Sequence, residues 1–186
     1  MFRKLIGDRG FYRQVLRITM PILIQNFITN FVSMLDNVMV GQVGTIPMSG
    51  VSIVNGVLFV FNLCIFGASS GAGIFTAQFH GSRDDEGVRH TFRFRMYVCT
   101  GIAMACALMF TIFGTQLSQL YLQGEGDPAD AAKVLQYGKD YLAMTYWGFV
   151  PFALSNAYAS TLRETGQTTV PMAAGITAVF VNLILN

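Results

Sequence analysis

Charge is what this chain is short of. Asp, Glu, Lys and Arg together make up 12% of its 186 residues, about half the roughly 25% of an ordinary soluble domain. Histidine occurs twice and Trp once. His80 and His90 flank a charged connection and are expected in solvent. The three cysteines, Cys64, Cys99 and Cys106, all lie in apolar stretches. Their spacing fits no zinc pattern, so they read as packed thiols. A phosphate-binding glycine loop, a metal-spaced His/Cys cluster and a nucleophile–base pair within the apolar stretches are all missing. Nothing reads as an enzyme, and neither a resident cofactor nor a nucleic-acid partner is expected. Nor does the start of the chain read as a signal peptide. Its first apolar run is too long and too polar-striped, and it lacks a small-residue cleavage site.

What fills the chain instead is apolar surface. Hydrophobic residues make up 53%, and the mean hydropathy is +0.49. Five apolar spans are predicted, over residues 18–40, 51–79, 96–114, 141–161 and 170–186. Each is near or above the ~20 residues that cross a bilayer, the last being cut by the chain end. The second is long enough to tilt or to extend beyond the bilayer. The expected fold is therefore an all-α integral membrane protein with five transmembrane helices.

Charge placement orients these spans. Ten of the twelve basic residues fall on one side: Arg3, Lys4, Arg9, Arg13 and Arg17 before the first span, Arg83, Arg89, Arg93 and Arg95 in the second connection, and Arg163 in the fourth. Only Lys133 and Lys139 lie on the other. The positive-inside rule puts the N-terminus in the cytoplasm of a multi-pass inner (plasma) membrane protein. Of the outer connections, 41–49 is short and uncharged, whereas 115–140 is longer and acidic. In the latter, Asp127 is a candidate helix cap, with Pro128 at the first helical position and Asp130 in the first turn. That helix is expected to run on into the fourth span.

Asp36 is the only carboxylate in the first span, residues 18–40. A charge near the bilayer centre costs about 2.5–3.5 kcal/mol on insertion scales. Such a group is kept where it faces a bundle interior or a watery cavity, usually because it handles an ion, a proton or a substrate. At about 100° per residue, with Gln25 at zero, Thr29, Ser33 and Asp36 fall at about 40°, 80° and 20°. Asn26, Asn30 and Asn37 fall at about 100°, 140° and 120°, so from Gln25 to Asn37 one arc holds every polar side chain, with Ile22 among the apolar residues that interrupt it further along the span. The alternative to a functional surface is interhelical glue, which amides and hydroxyls commonly provide.

Other polar groups are sparser. Ser155, Asn156 and Ser160 follow Pro151 in the fourth span. Ala174, Ala178, Asn182 and Asn186 form an i, i+4 row in the fifth. Asp36, Asn156, Asn182 and Asn186 are candidates to line a shared polar cavity. Pro21, Pro151 and Pro171 sit within or at the start of spans, where they are tolerated and often mark a bend; Pro151 is the first candidate for a kink. Gly67 and Gly71 read as a close helix-packing pair. The 16 Phe, 10 Met and 7 Tyr either line a greasy, adaptable cavity or face lipid and core.

Taken in order, these residues resemble the multidrug and toxic compound extrusion family of cation-coupled antiporters. The resemblance runs through Leu35-Asp36-Asn37-Val38-Met39-Val40-Gly41 and Ala77-Gln78-Phe79-His80-Gly81. It continues in Gly148, Pro151 and Phe152, in the loop Leu162-Arg163-Glu164-Thr165-Gly166-Gln167-Thr168, and in Asn182-Leu-Ile-Leu-Asn186. The family fold has about twelve helices in two lobes, so the resemblance implies a partial N-terminal lobe over residues 1–186, with a C-terminal lobe of the same polypeptide as its missing partner. It implies export of small organic, often cationic, compounds in exchange for protons or sodium, in contact with membrane lipid.

Within that resemblance, Asp36 carries the coupling proton or ion, with Asn182 and Asn186 beside it and Gln25, Thr29, Ser33, Asn37 and Asn156 lining the cavity. The protonation state of Asp36 then biases the bend of the first helix. Some relatives carry a second Asp at the place of Asn186 and an Asn at that of Ala159, so a two-carboxylate sodium site is not expected here. Two alternatives stay open. One is a lipid-linked oligosaccharide flippase or polysaccharide exporter of the same superfamily, which would want more cationic groups in the spans. The other is a non-transporting membrane scaffold, in which Asp36 would be dispensable.

Overall fold

The computed structural model describes residues 7–122 and 128–185. They form α1 (Arg9–Val43), α2 (Thr45–Gly81), α3 (Asp85–Leu122), α4 (Pro128–Glu164) and α5 (Thr169–Leu185). The protein is an all-α integral membrane protein. Three stretches have both the length and the hydropathy to cross a bilayer unaided: Arg9–Val43, Thr45–Gly81 and Asp85–Gly114. The predicted fourth span falls within α4, and α5 covers the predicted fifth up to Leu185.

The helices outrun the apolar spans, because a helix satisfies its own backbone in water as in lipid. α1 begins nine residues ahead of Ile18. Its start is set by Asp8, whose Oδ1 accepts from the Phe11 backbone N–H at 2.9 Å, a side-chain cap at the third helical position. The connection predicted over 41–49 shrinks to Gly44. Its φ of +129° is open only to glycine without strain, and α2 follows at once, with Pro47 harmless in its first turn.

The charged second connection is likewise only Ser82–Asp84. Asp84 N–H bonds the Phe79 carbonyl at 2.9 Å and Arg83 N–H that of His80 at 3.1 Å, the paired bonds of a Schellman stop. Arg83 takes the left-handed conformation at φ 59°. Asp84 then caps α3 through Gly87 N–H at 2.9 Å, and Asp85 and Glu86 lie in the positive first turn. α4 starts at Pro128 as predicted and runs unbroken through Pro151 into the fourth span. Asp127, its expected cap, lies outside the described residues. The same stop motif ends α4: Gln167 N–H bonds the Leu162 carbonyl at 2.8 Å, Gly166 N–H that of Arg163 at 3.1 Å, and Gly166 has φ 81°.

The chain divides into two compact units, Asn37–Thr161 and Met1–Asp36 with Leu162–Asn186. The first holds the core. Val54, Phe61 and Ile65 of α2, Cys99, Ala103 and Phe110 of α3, and Leu142, Phe149 and Ala153 of α4 form one buried cluster. Phe149 is its hub, stacked on Phe61 at 4.5 Å between ring centroids and edge-on to Phe110 and Tyr146 at 6.0 and 5.9 Å, geometries aromatic rings favour.

Small residues bring α2 and α4 together, but not the predicted pair. A Cβ on Gly50 would lie 2.8 Å from the Val134 carbonyl oxygen and 3.0 Å from Gly138 N, whereas none on Gly67 or Gly71 would meet anything within 4 Å. The packing reading of Gly67 and Gly71 is therefore corrected, since both point away from the helices described. Cys99 is packed and Cys106 partly so, but Cys64 is exposed, contrary to expectation, because its face of α2 carries exposed Val60 and Leu63 instead of core. His80 and His90 are exposed as predicted.

The second unit pairs α1 up to Asp36 with the end of α4 and α5. Among its described residues only Val32, Thr168 and Pro171 are fully buried.

Candidate functional site

The polar arc of α1 is not uniform. The covered stripe of the helix runs through Ile18, Gln25, Ile28, Val32 and Asp36, a 3.6-residue pattern. Gln25 and Asp36, at the edge of the arc, are half-buried. Thr29, Ser33, Asn26, Asn30 and Asn37 are exposed. The wheel gives the arc's phase correctly. It could not show that neighbours cover one side of the arc and leave the amide-rich side open. Thr29 Oγ1 also donates to the Gln25 carbonyl at 2.9 Å, a bond within its own helix.

Gln25 is held from two sides. Its Oε1 accepts from Arg163 Nη2 at 2.8 Å, and its amide lies over Gly175 of α5, where a Cβ would come within 2.7 Å of Nε2. Asn182 lies seven residues further along α5 and is half-buried. Asn186 lies outside the described residues. Thus Gln25, Thr29, Ser33, Asp36 and Asn182 belong to one unit, and Asn37 and Asn156 to the other.

Asn156 sits in a hydroxyl seam of the three-helix unit. Its Oδ1 accepts from Ser69 Oγ of α2 at 3.2 Å and from Ser160 Oγ one turn on at 3.3 Å. Ser69 Oγ also lies 3.6 Å from Cys99 Sγ of α3. Further along α3, Arg95 is 0% exposed and donates from Nη1 to Thr161 Oγ1 at 2.7 Å. The hydroxyl of Thr161 in turn donates to the Ala157 carbonyl at 2.9 Å.

Sequence reading counted Arg95 only as a loop cation. The signal that finds it is the i, i+4 row Thr91, Arg95, Cys99, Ala103, which carries the buried face of the third span backward into the charged segment; all four are buried. A buried guanidinium needs such hydrogen-bonding partners to offset desolvation.

An apolar cavity of about 230 Å³ lies between α2 and α4 of the same unit, lined by Leu58, Phe61, Asn62, Thr145, Gly148, Phe149 and Phe152. Phe61, Phe149 and Phe152 wall this cavity, while Phe27, Phe31, Phe59 and Phe66 are among those that point outward.

Long apolar helices, few charges and a half-covered carboxylate on an amide-lined helix define a polytopic membrane protein. Residues 21–186 match the MatE family, and the chain belongs to it. It is similar to proteins named "Probable multidrug resistance protein NorM". The one from Thermotoga maritima is 23% identical, aligned over 94% of this chain and 36% of the relative. That from Bacillus licheniformis is 26% identical, over 94% and 37%. That from Idiomarina loihiensis is 20% identical, over 97% and 37%. The chain thus spans little more than a third of the length of these relatives.

Proposed function

We propose that this chain is the N-terminal part of a secondary active transporter that exports small organic, often cationic, compounds by antiport with protons or sodium. Family membership over residues 21–186 supports the class, and the names of the relatives point to multidrug export. The observation in the molecule that carries the reading is the open half of the α1 arc. Asn26, Thr29, Asn30, Ser33 and Asn37 are exposed along a helix long and apolar enough to span a bilayer. Hydrocarbon cannot satisfy their hydrogen bonds, so this face requires water, solute or further polypeptide.

Asp36 borders that face and is the group able to change charge there. In this reading it holds the coupling proton or ion, and the amide oxygens of Asn182 and Asn186 assist. A hard cation such as sodium takes oxygen ligands readily, so neutral amides serve. Protonation or ion release would change the cost of exposing Asp36 to one side or the other, and so couple ion entry to the access of the cavity. Gln25, Thr29, Ser33, Asn37 and Asn156 would line the cavity, with the N-terminus on the cytoplasmic side of the inner membrane. The rest of the polypeptide would complete the site, since transporters of this kind bind substrate between repeats.

The test is Asp36→Asn in the full-length protein, which keeps size and most hydrogen bonding but fixes the charge at zero. Ion-driven efflux from vesicles, normalised to protein amount, should fall to background while expression and membrane insertion are unchanged. Full activity in this variant would reduce Asp36 to helix glue and remove it from the coupling site. Asn186→Ala should be milder, because an amide there can only assist.

A further inference from the structure

We propose that Arg163 is a positioning residue that sets the register of α1 against α5. Its role is to clamp Gln25 over Gly175, and its bearing on ion coupling rests on the transporter reading above. Three observations meet at one point. Arg163 Nη2 donates to Gln25 Oε1 at 2.8 Å. Gly175 has no side chain where one would strike Gln25 Nε2 at 2.7 Å. Arg163 Nε is buried with no hydrogen-bond partner among the described residues. A guanidinium is a costly device for simple packing, and here it makes one charge-assisted bond while leaving Nε unused. What that bond achieves is to fix where along α5 the α1 helix sits. Gly166 supplies the left-handed turn, at φ 81°, that ends α4 just beyond Arg163 and leads the chain on to α5.

The clamp point is in phase with the groups further along both helices. Asp36 lies eleven residues beyond Gln25, about 16 Å along the axis and about 20° off the same face. Asn182 lies seven residues beyond Gly175, about 10 Å along and about 20° to the other side. With alternating spans, α1 and α5 run in the same direction. A fixed contact at Gln25–Gly175 therefore sets Asp36 about one turn beyond the level of Asn182, on the facing stripes. A slip of one turn at the clamp would bring the two to one level or part them by about two turns.

The experiment uses full-length protein with Cys64, Cys99 and Cys106 replaced by Ala, and spin labels at the exposed positions Leu16 and Val170. Electron–electron double resonance should give a single narrow distance in the parent. Arg163→Met and Gln25→Ala should each broaden or shift it, and Arg163→Lys, which can still donate to Gln25, should restore it. In reconstituted vesicles Arg163→Met should raise the ion concentration for half-maximal efflux about tenfold, the scale of one lost charge-assisted hydrogen bond, with maximal rate little changed, and Arg163→Lys should restore it. A parent-like distance distribution in both variants overturns the clamp. A changed distance with unchanged ion dependence overturns the positioning role. If the parent shows no ion-driven efflux, the transporter reading fails, and the distance distribution still decides whether Arg163 sets the register.

Discussion

The two units of the chain are built on opposite principles. In Asn37–Thr161, α2, α3 and α4 interlock through a continuous aromatic and small-residue core, and even the polar groups Ser69, Asn156, Arg95 and Thr161 are spent on one another. In Met1–Asp36 with Leu162–Asn186, few side chains are fully buried, and the most specific contact described is the polar one between Arg163 and Gln25. Between apolar helices in lipid there is little hydrophobic drive, so close packing and hydrogen bonds decide association. A unit with dense packing is fixed. A unit joined by a few polar contacts has arrangements closer in free energy, and that is where an ionisable group can bias a conformation.

The sharpest way to break this contrast is at Phe149. Phe149→Ala removes the ring that makes three aromatic contacts, with Phe61, Phe110 and Tyr146. The expected loss is about 3 kcal/mol, the low end for Phe→Ala because the transfer term is weak against lipid. Thermal unfolding of the purified protein in detergent reads it. The same assay on Asp36→Asn should show almost no change. Equal destabilisation by the two would erase the distinction between a packed and a functional unit.

Gly50 and Gly67 divide the first unit further. Gly50→Ala places a methyl 2.8 Å from backbone oxygen that cannot turn aside, an overpacking cost of about 1–3 kcal/mol. Gly67→Ala meets nothing and should be neutral or stabilising by up to about 1 kcal/mol through helix propensity. If Gly67→Ala instead abolished efflux at unchanged stability, its open face would be where further polypeptide docks. Asn156→Ala comes next. It removes the acceptor of two hydroxyls and should cost about 1–2 kcal/mol. A loss of efflux beyond that loss of folded protein would mean that Asn156 serves the cavity as well as the seam.

These contrasts explain what could be read from the sequence. Apolar runs located all five helices, and Pro128 located the start of α4, since length and turn chemistry are local properties. Helix ends were harder, because hydropathy stops at the membrane surface whereas backbone hydrogen bonding continues: hence α1 from Arg9 and a connection reduced to Gly44. Periodicity gave the arc that holds Asp36, but not which part of it is covered. It also could not choose between Gly67 and Gly50, since a small residue permits close approach without saying that a neighbour arrives. Arg95 was legible in principle, through its row with Thr91, Cys99 and Ala103, and was hidden by its charge. The clamp at Gln25 joins residues 138 positions apart, and no pattern within a helix foretells it.

The smallest expected effect compares the two turns that end α2 and α4. Both are Schellman stops with the same pair of backbone bonds, closed by Asp84 and Arg83 in one and by Gln167 and Gly166 in the other. The left-handed position is filled by Arg83 at φ 59° in the first and by Gly166 at φ 81° in the second. A side chain there costs about 1 kcal/mol, offset in part because glycine is freer in the unfolded chain. Arg83→Gly should therefore stabilise the α2–α3 turn by a few tenths to about 1 kcal/mol, and Gly166→Ala should destabilise the α4–α5 turn by about 1 kcal/mol. Hydrogen exchange at Asp84 and Gln167, whose amides close the two turns, measures each locally. The comparison has a second edge. Gly166→Ala disturbs the segment that carries Arg163, so it should also broaden the Leu16–Val170 distance, whereas Arg83→Gly should leave that distance untouched. Equal effects of the two substitutions on the distance would mean that the fourth connection has no special part in holding α1.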